Sequence, residues 1–261
     1  MSDEFYIGWE QRAAPGIGRR TRGVALVLLV LAVLSAAALA VSQHLIGASV
    51  FEFGELKTFT GILAVEPYPH LLVPRPGVTE GAGAFSSYYL VAEWKFGLSP
   101  QALQSFDGQA VTLQGTLIYR GNQTMIQVAD RTLQMAKTPV PPLTGQAIIP
   151  LGRQTLTGEI VDSKCYLGVM NPGQLTPHRA CAIRCLSGGI PPVLLARPQN
   201  GPPIYLLLVS AQGKPVNQQV LEYVAEPVSI TGEVERQGEF LILRADPATY
   251  ERIKPSANHA N

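Results

Sequence analysis

The sequence predicts a mainly β protein in which one N-terminal transmembrane helix precedes two tandem, small OB-like β-barrel domains. Three observations support this fold class. One long apolar block lies near the N-terminus, two later stretches resemble each other, and both stretches contain short alternating segments that are typical of β-strands. The second barrel is also predicted to carry a Cys/His-bearing helical insertion.

The apolar block, Val24 to Ser42, contains no charged residue, proline or glycine. With its flank, residues 24–46, it is long enough as a helix to cross a bilayer core of about 30 Å. Four arginines precede it, and the next basic residue after it is Lys57. The positive-inside rule therefore predicts a single-pass protein of the bacterial inner membrane, with residues 1–23 cytoplasmic and the later domains outside.

A cleaved signal peptide is the alternative, because Ala38, Leu39 and Ala40 resemble a cleavage site. The apolar run, however, exceeds the roughly 7–15 residues of a usual signal core. The segment before it is also long for a signal peptide. We therefore expect an uncleaved anchor.

Two stretches of the remaining chain are similar in order and spacing. The segment from Thr60 to Val65 parallels Thr157 to Asp162, and the segment from Ala110 to Gly115 parallels Pro227 to Gly232. We interpret them as a duplicated domain. The predicted boundaries are a first domain at 47–135, a proline-rich linker at 136–152, a second domain at 153–254 and a disordered tail at 255–261.

Each copy has the pattern of a small closed sheet. Alternating apolar and polar residues flank turn residues at Gly121 and Gly238, which predicts a β-hairpin in each copy. Residues 99–107 and 217–223 are predicted to form a short helix before each hairpin. About five strands with one helix resemble an OB-type barrel.

The copies differ by an insertion of roughly 20 residues between the first strand of the second copy and its strand at Ile204-Tyr205-Leu206, within residues 162–192. The insertion contains all three cysteines of the chain and His178, one of four histidines. The corresponding segment of the first copy, residues 66–77, has no cysteine. This is how a function added to a scaffold commonly looks.

A helix is predicted within the insertion. Thr176 is a good N-cap, Pro177 suits the first helical position, and Gly188 and Gly189 can end the helix. His178 and two cysteines would then lie at positions i, i+3 and i+7. At about 100° per residue they form a stripe some 60° wide.

Three thiols and one imidazole therefore converge if Cys165 folds back over the stripe formed by His178, Cys181 and Cys185. This ligand set suits tetrahedral zinc, and thiolate-rich sets also suit cuprous copper. Asp162 is a candidate for hydrogen bonding to His178 or to a backbone amide of the cysteine loop.

Further nearby residues favour this chemistry. Met170 is a soft extra ligand for copper, whereas an iron–sulfur cluster fits less well because the tight cysteine spacings are missing. Lys164, Arg179 and Arg184 favour thiolate over thiol.

Two other uses of the cysteines stay open. Exported compartments oxidise thiols, so Cys165 can form a disulfide with Cys181 or Cys185 and leave one thiol over. A disulfide between Cys181 and Cys185 is disfavoured within a regular helix. The third use is a thiol–disulfide redox site.

The insertion also resembles a motif found in a loose group of uncharacterised exported bacterial proteins. It reads Gly158-x-Ile160-x-Asp162-x-x-Cys165, followed by His178-Arg179-x-Cys181-Ala182-x-x-Cys185-x-x-Gly188-Gly189-x-Pro191. The resemblance covers about 35 residues and implies that the aspartate, the cysteines and the histidine form one set. It implies no reaction.

These patterns predict a membrane-anchored accessory protein that presents a metal or redox-thiol site outside the cytoplasm to a membrane or periplasmic protein partner. The alternative is a structural or assembly subunit of a membrane complex, in which disulfides brace the β-domains. With 20 basic and 19 acidic residues, nucleic acid is not an expected partner. We find no recognisable catalytic constellation. His44, His70 and His259 are expected to lie at the membrane interface or in solvent.

Overall fold

The computed structural model describes residues 14–44, 49–78, 83–141, 148–198 and 201–253. Its first element is α1, Pro15–His44. Its most apolar 18-residue window has a mean hydropathy of 3.0, and the helix is long and apolar enough to cross a membrane, a test that a signal sequence also passes. It begins earlier than the predicted span, because Pro15 suits a first helical position and the arginines that follow are good helix formers.

The first barrel contains β2 to β6, and two short strands, β1 and β7, pair with it. A short helix, α2, continues as a 3₁₀ turn and occupies the predicted helical segment before the hairpin. Its elements are β1 Ser49–Phe51, β2 Lys57–Ala64, β3 His70–Pro74, β4 Phe85–Val91, α2 Pro100–Leu103 with the turn Gln104–Phe106, β5 Ala110–Arg120, β6 Gln123–Val128 and β7 Gln134–Met135.

The second barrel contains β8 to β12, and the short strand β13 pairs with it. Its elements are β8 Ile148–Asp162, a π-helical turn Cys165–Val169, a 3₁₀ turn Thr176–His178, α3 Arg179–Ser187, β9 Pro192–Ala196, β10 Ile204–Val209, a 3₁₀ turn Leu221–Tyr223, β11 Pro227–Gln237, β12 Phe240–Arg244, a 3₁₀ turn Pro247–Thr249 and β13 Glu251–Arg252. The helix predicted at 217–223 is thus reduced to one 3₁₀ turn.

Both sheets close in the same order. In the first, β2 pairs with β3, β3 with β4, β4 with β6, β6 with β5, and β5 with β2. In the second, β8, β9, β10, β12 and β11 close in the same sequence. One parallel pairing closes each barrel, β4 with β6 and β10 with β12. Two closed five-stranded barrels of OB-like topology are therefore confirmed.

The strand register supports the duplication. Thr60 lies opposite Thr112 in the first barrel, and the equivalent Thr157 lies opposite Ser229 in the second. The next residue in each copy is a glycine whose added Cβ would collide with a carbonyl oxygen of the neighbouring strand. For Gly158 that oxygen belongs to Leu195. Glycine is required here because the strands approach closely where the barrel bends.

The predicted linker at 136–152 is partly wrong. Strand β8 already begins at Ile148, because it pairs with β11 as far as Gln237. A bulge between Val234 and Glu235 keeps this long pairing continuous. Residues 142–147 and 254–261, which include the predicted tail at 255–261, lie outside the described residues.

The two barrels share an apolar cluster of buried residues, and each barrel also has a core of its own. Tyr89 of the first barrel stacks on Phe240 of the second with ring centroids 3.9 Å apart. Tyr68 of the first barrel donates a hydrogen bond to the carbonyl oxygen of Leu208 and accepts one from the backbone N–H of Val216. The shared cluster also contains two of the cysteines, as its buried members show: Tyr68, Tyr89, Val91, Ile118, Met125, Val161, Cys165, Tyr166, Leu167, Cys185, Ile190, Val193, Leu195, Leu207, Val209, Phe240 and Ile242.

Candidate metal and thiol site

The connection between β8 and β9 supplies the predicted site residues. Strand β8 ends at Asp162, the π-helical turn begins at Cys165, and α3 carries the other two cysteines. The connection spans residues 163–191, whereas the equivalent connection between β2 and β3 spans residues 65–69.

The helix of this connection starts differently from the prediction. Thr176 makes no side-chain cap, and a 3₁₀ turn leads into α3 at Arg179. The C-terminal end of α3 agrees with the prediction that glycines end the helix. Gly189 has a φ of +94°, and its N–H donates to the carbonyl of Leu186.

The three cysteines lie together with free thiols. The Sγ of Cys165 is 3.9 Å from the Sγ of Cys181 and 3.9 Å from the Sγ of Cys185. Cys165 and Cys185 are buried, and Cys181 is partly exposed. The back-folding of Cys165 over the helical stripe is therefore present in the structure, without the alternative disulfide.

Asp162 connects the turn to the helix. One carboxylate oxygen accepts a hydrogen bond from the backbone N–H of Cys165 at 2.8 Å, and the other lies 2.8 Å from Nε2 of His178. Asp162 and His178 are both buried, at 0% and 3% exposure. Both contacts considered for Asp162 from the sequence thus occur at once.

Two overlapping groups of donor atoms can hold a metal ion. Within 4.8 Å of one another lie donor atoms of Cys165, His178 and Cys181, and likewise those of Asp162, Cys165 and Cys185. Cys165 belongs to both groups. The structure therefore brings the other three predicted ligands close to Cys165, but in two groups that share only this residue, and it adds the Asp162 carboxylate to the group that contains Cys185.

Proton positions in the thiol pair are unequal. The Cys165 thiol hydrogen-bonds to Cys185, and this bond together with burial raises the pKa of Cys165. The same hydrogen bond lowers the pKa of Cys185. These opposite directions favour Cys185 as the thiolate of the pair.

The first barrel contributes a lysine that the sequence did not indicate. Nζ of Lys95 donates to Sγ of Cys181 at 2.7 Å, and this contact raises the pKa of Lys95. Lys95 follows β4, 86 residues before Cys181. No pattern in a single sequence connects residues so far apart.

A second lysine is buried beneath the site. Nζ of Lys164 donates to the carbonyl oxygens of Ala92 at 2.8 Å and Trp94 at 2.7 Å. Burial lowers the pKa of Lys164 to about 8, although the nearby Cys185, Cys165 and Asp162 oppose this shift. The loop that carries the cysteines is thus attached to the first barrel through a buried ammonium group.

The turn between β4 and α2 closes over the end of α3. The N–H of Gly97 donates to the carbonyl of Gly188 at 2.9 Å. A side chain at Gly188 would collide with the carbonyl oxygen of Lys95. Trp94, in the same turn, has a φ of +58° and is 82% exposed. Such a strained, exposed aromatic residue beside a site is a feature often associated with function.

Other candidate residues fall outside this arrangement. His70 is buried, not solvent-exposed as predicted, because its ring packs edge-on against Phe240 between the barrels. Burial lowers the pKa of His70. Met170 is 44% exposed, and its backbone N–H donates to the carbonyl of Cys165. The His44 side chain and His259 lie outside the described residues.

No protein-family model and no curated protein matches the chain. Among solved structures, a deletion mutant of the single-stranded DNA-binding protein from Thermus aquaticus is similar, with 12% identity and a TM-score of 0.22. The match covers 81% of this chain and 98% of that one. A similarity this weak carries no argument about function.

Proposed function

We propose that the chain is a membrane-anchored, extracytoplasmic accessory protein that binds one soft metal ion through Cys165, His178, Cys181 and Cys185. It would present this ion to a membrane or exported protein partner. The observation that carries the proposal is the position of Cys165, with its sulfur 3.9 Å from each of the other two sulfurs.

The spacing supports metal ligation. Sulfurs bound at about 2.3 Å to a tetrahedral zinc ion lie roughly 3.8 Å apart. A disulfide would need about 2.05 Å instead. The two observed separations of 3.9 Å are close to this spacing, and binding one ion through all four ligands would draw the two donor groups together around Cys165.

The hydrogen bond between His178 and Asp162 supports a role of the histidine as a ligand. Asp162 occupies Nε2 of His178, so Nδ1 is the ring nitrogen left with a lone pair for a metal. A carboxylate on the far nitrogen fixes the tautomer and increases the basicity of the ligand. Asp162 thereby acts as a positioning residue, and its contact with the N–H of Cys165 orients a second ligand.

Charge balance favours a divalent ion. Three thiolates and Asp162 bring four negative charges, and the ammonium groups of Lys95 and Lys164 bring two positive ones. A divalent cation brings the sum to zero, which lowers the cost of burying the group. Zinc is therefore the expected ion, and cuprous copper fits if one sulfur keeps its proton.

The metal proposal is tested by the metal content of the full-length protein, purified in detergent under reducing, anaerobic conditions. We expect about one zinc or copper ion per chain, and a loss of most of it in Cys165→Ser. Asp162→Asn should weaken metal binding by about 10–100-fold, because Asp162 orients His178. Its matched control is Asp130→Asn, which changes an exposed carboxylate paired with Arg131. A wild-type protein without metal after reconstitution with zinc or cuprous copper contradicts the proposal.

The membrane part of the proposal rests on α1 and the arginines before it. A reporter enzyme that is active only outside the cytoplasm, fused behind Asn261, is expected to be active. Activity of a cytoplasmic reporter at the same position would contradict the export of the barrels. An intact protein mass that includes residues 1–44 would exclude cleavage as a signal peptide.

A structural or assembly subunit remains the second candidate function. It is favoured by the burial of Cys165 and Cys185 in the core that the two barrels share. In that case Cys→Ser substitutions lower stability, by about 2–5 kcal/mol if a native disulfide is lost, and remove no metal. Metal analysis and unfolding of the same variants separate the two functions.

A further inference from the structure

The contact between Lys95 and Cys181 is unusually short for its chemistry. Nζ lies 2.7 Å from Sγ. This equals the lower limit of about 2.7 Å for N–H···O hydrogen bonds, and sulfur is a larger acceptor than oxygen. A direct covalent bond between nitrogen and sulfur would be shorter than the S–S bond of a disulfide, which is roughly 2.05 Å. The separation fits two atoms that are joined through one small bridging atom.

We propose that Lys95 and Cys181 form a modification site, at which one oxygen atom joins Nζ to Sγ in a covalent N–O–S bridge. Thiol reductants reverse the bridge. The consequence for metal binding rests on the proposed function, because it requires Cys181 to be a ligand.

The reaction balances with dioxygen as the oxidant. An ammonium group and a thiolate together carry three hydrogens, of which two leave as water with one atom of dioxygen. The other oxygen atom forms the N–O and O–S bonds, and one hydrogen stays on nitrogen. Sulfur and nitrogen each lose two electrons, and these four electrons reduce dioxygen. Reversal takes four electrons and therefore two dithiol molecules. The first attacks sulfur and cleaves the O–S bond, which frees the thiol and leaves a hydroxylamine on nitrogen, and the second reduces this hydroxylamine to the lysine amine and water.

The surroundings select this pair. Cys181 is partly exposed, whereas Cys165 and Cys185 are buried, so oxidants and reductants reach Cys181 first. The backbone two residues after Lys95 is held against the end of α3 by the hydrogen bond from Gly97 to Gly188. Reacting groups that are held in contact react as if at very high concentration.

The bridge would control the metal site. It withdraws Cys181 from the donor group that contains Cys165 and His178, and leaves the group of Asp162, Cys165 and Cys185. It also links the first barrel covalently to α3 of the second. Oxidising conditions would thus lower metal capacity and lock the barrels together, and reduction would restore the full ligand set.

High-resolution intact mass of the full-length protein, purified aerobically in detergent, tests the bridge. We expect a species about 14 Da heavier than the sequence, from one oxygen gained and two hydrogens lost, which dithiothreitol removes. Proteolysis should yield one cross-linked peptide pair containing Lys95 and Cys181. Lys95→Arg and Cys181→Ser should both lose the added mass, while Lys57→Arg, a lysine paired with Glu52, should keep it.

Several results would overturn the inference. An aerobic protein without the added mass, in which iodoacetamide alkylates Cys181 fully, shows a plain hydrogen bond. A gain of about 16 Da or a loss of about 2 Da would indicate sulfenic acid or a disulfide instead. If the bridge is absent but the reduced protein binds metal, this inference alone fails. If the bridge forms but the reduced protein binds no metal, the proposed function alone fails.

Discussion

Replacing Asp162 by asparagine tests how the site is held together. The variant keeps the size of the side chain and one oxygen that can accept from the N–H of Cys165. It removes the negative charge that faces Nε2 of His178 at 2.8 Å. The change therefore weakens one buried, charge-assisted hydrogen bond and leaves the packing of the neighbouring side chains intact.

The expected loss can be estimated from that one contact. Hydrogen bonds to charged groups contribute about 1.5–3 kcal/mol to stability. For a unit of about 200 residues, each kcal/mol corresponds to roughly 2–4 °C in the melting temperature. Asp162→Asn should therefore lower the melting temperature of the metal-free protein by about 3–12 °C. In the metal-loaded protein the loss should be larger, because His178 is then also a poorer ligand.

The assay is thermal unfolding in detergent followed by circular dichroism of the β-sheet. It is performed once with reductant and chelator and once with zinc. Asp130→Asn is the control, since its carboxylate is 79% exposed and its loss should change stability by less than about 0.5 kcal/mol. The reasoning is refuted if Asp162→Asn melts like the wild type in both conditions.

Three further outcomes are expected. Phe240→Ala removes an aromatic stack between the barrels and should cost about 3–5 kcal/mol in urea unfolding, whereas Phe53→Ala, 82% exposed, should cost little. Burial lowers the pKa of His70, so as the pH falls the unfolded chain takes up a proton at this residue before the folded protein does. Stability should therefore fall as the pH drops below about 6.5. Equal slopes of stability against pH in His70→Asn and the wild type would refute this. Gly158→Ala should lower stability by about 1–3 kcal/mol or more, because its Cβ meets the backbone of β9, and an unchanged urea midpoint would contradict this close approach.

The barrels could be predicted from sequence because their signals are local. A strand pair joined by a tight turn leaves its alternating pattern within about 20 residues, as around Gly121 and Gly238. The stripe of His178, Cys181 and Cys185 is local in the same sense, since helical spacing alone aligns it. The repeat then allowed one hairpin to support the prediction of the other.

The remaining features depend on contacts that are distant along the chain. Lys95 contacts Cys181 where the turn after β4 packs on α3, and His70 is buried between Tyr89 of its own barrel and Phe240 of the other. The early start of β8 likewise follows from its pairing with β11. These arrangements arise when the two barrels pack together, and neither composition nor periodicity contains that information.

The first barrel has no cysteine, yet the site of the second barrel depends on it. The ammonium group of Lys164 is buried, and the acceptors that satisfy it are the carbonyl oxygens of Ala92 and Trp94. A buried charge without such partners would cost several kcal/mol. The same turn brings Lys95 to Cys181. The first barrel therefore contributes one side of the site. The sulfur chemistry proposed for the second barrel requires backbone carbonyl groups of the first.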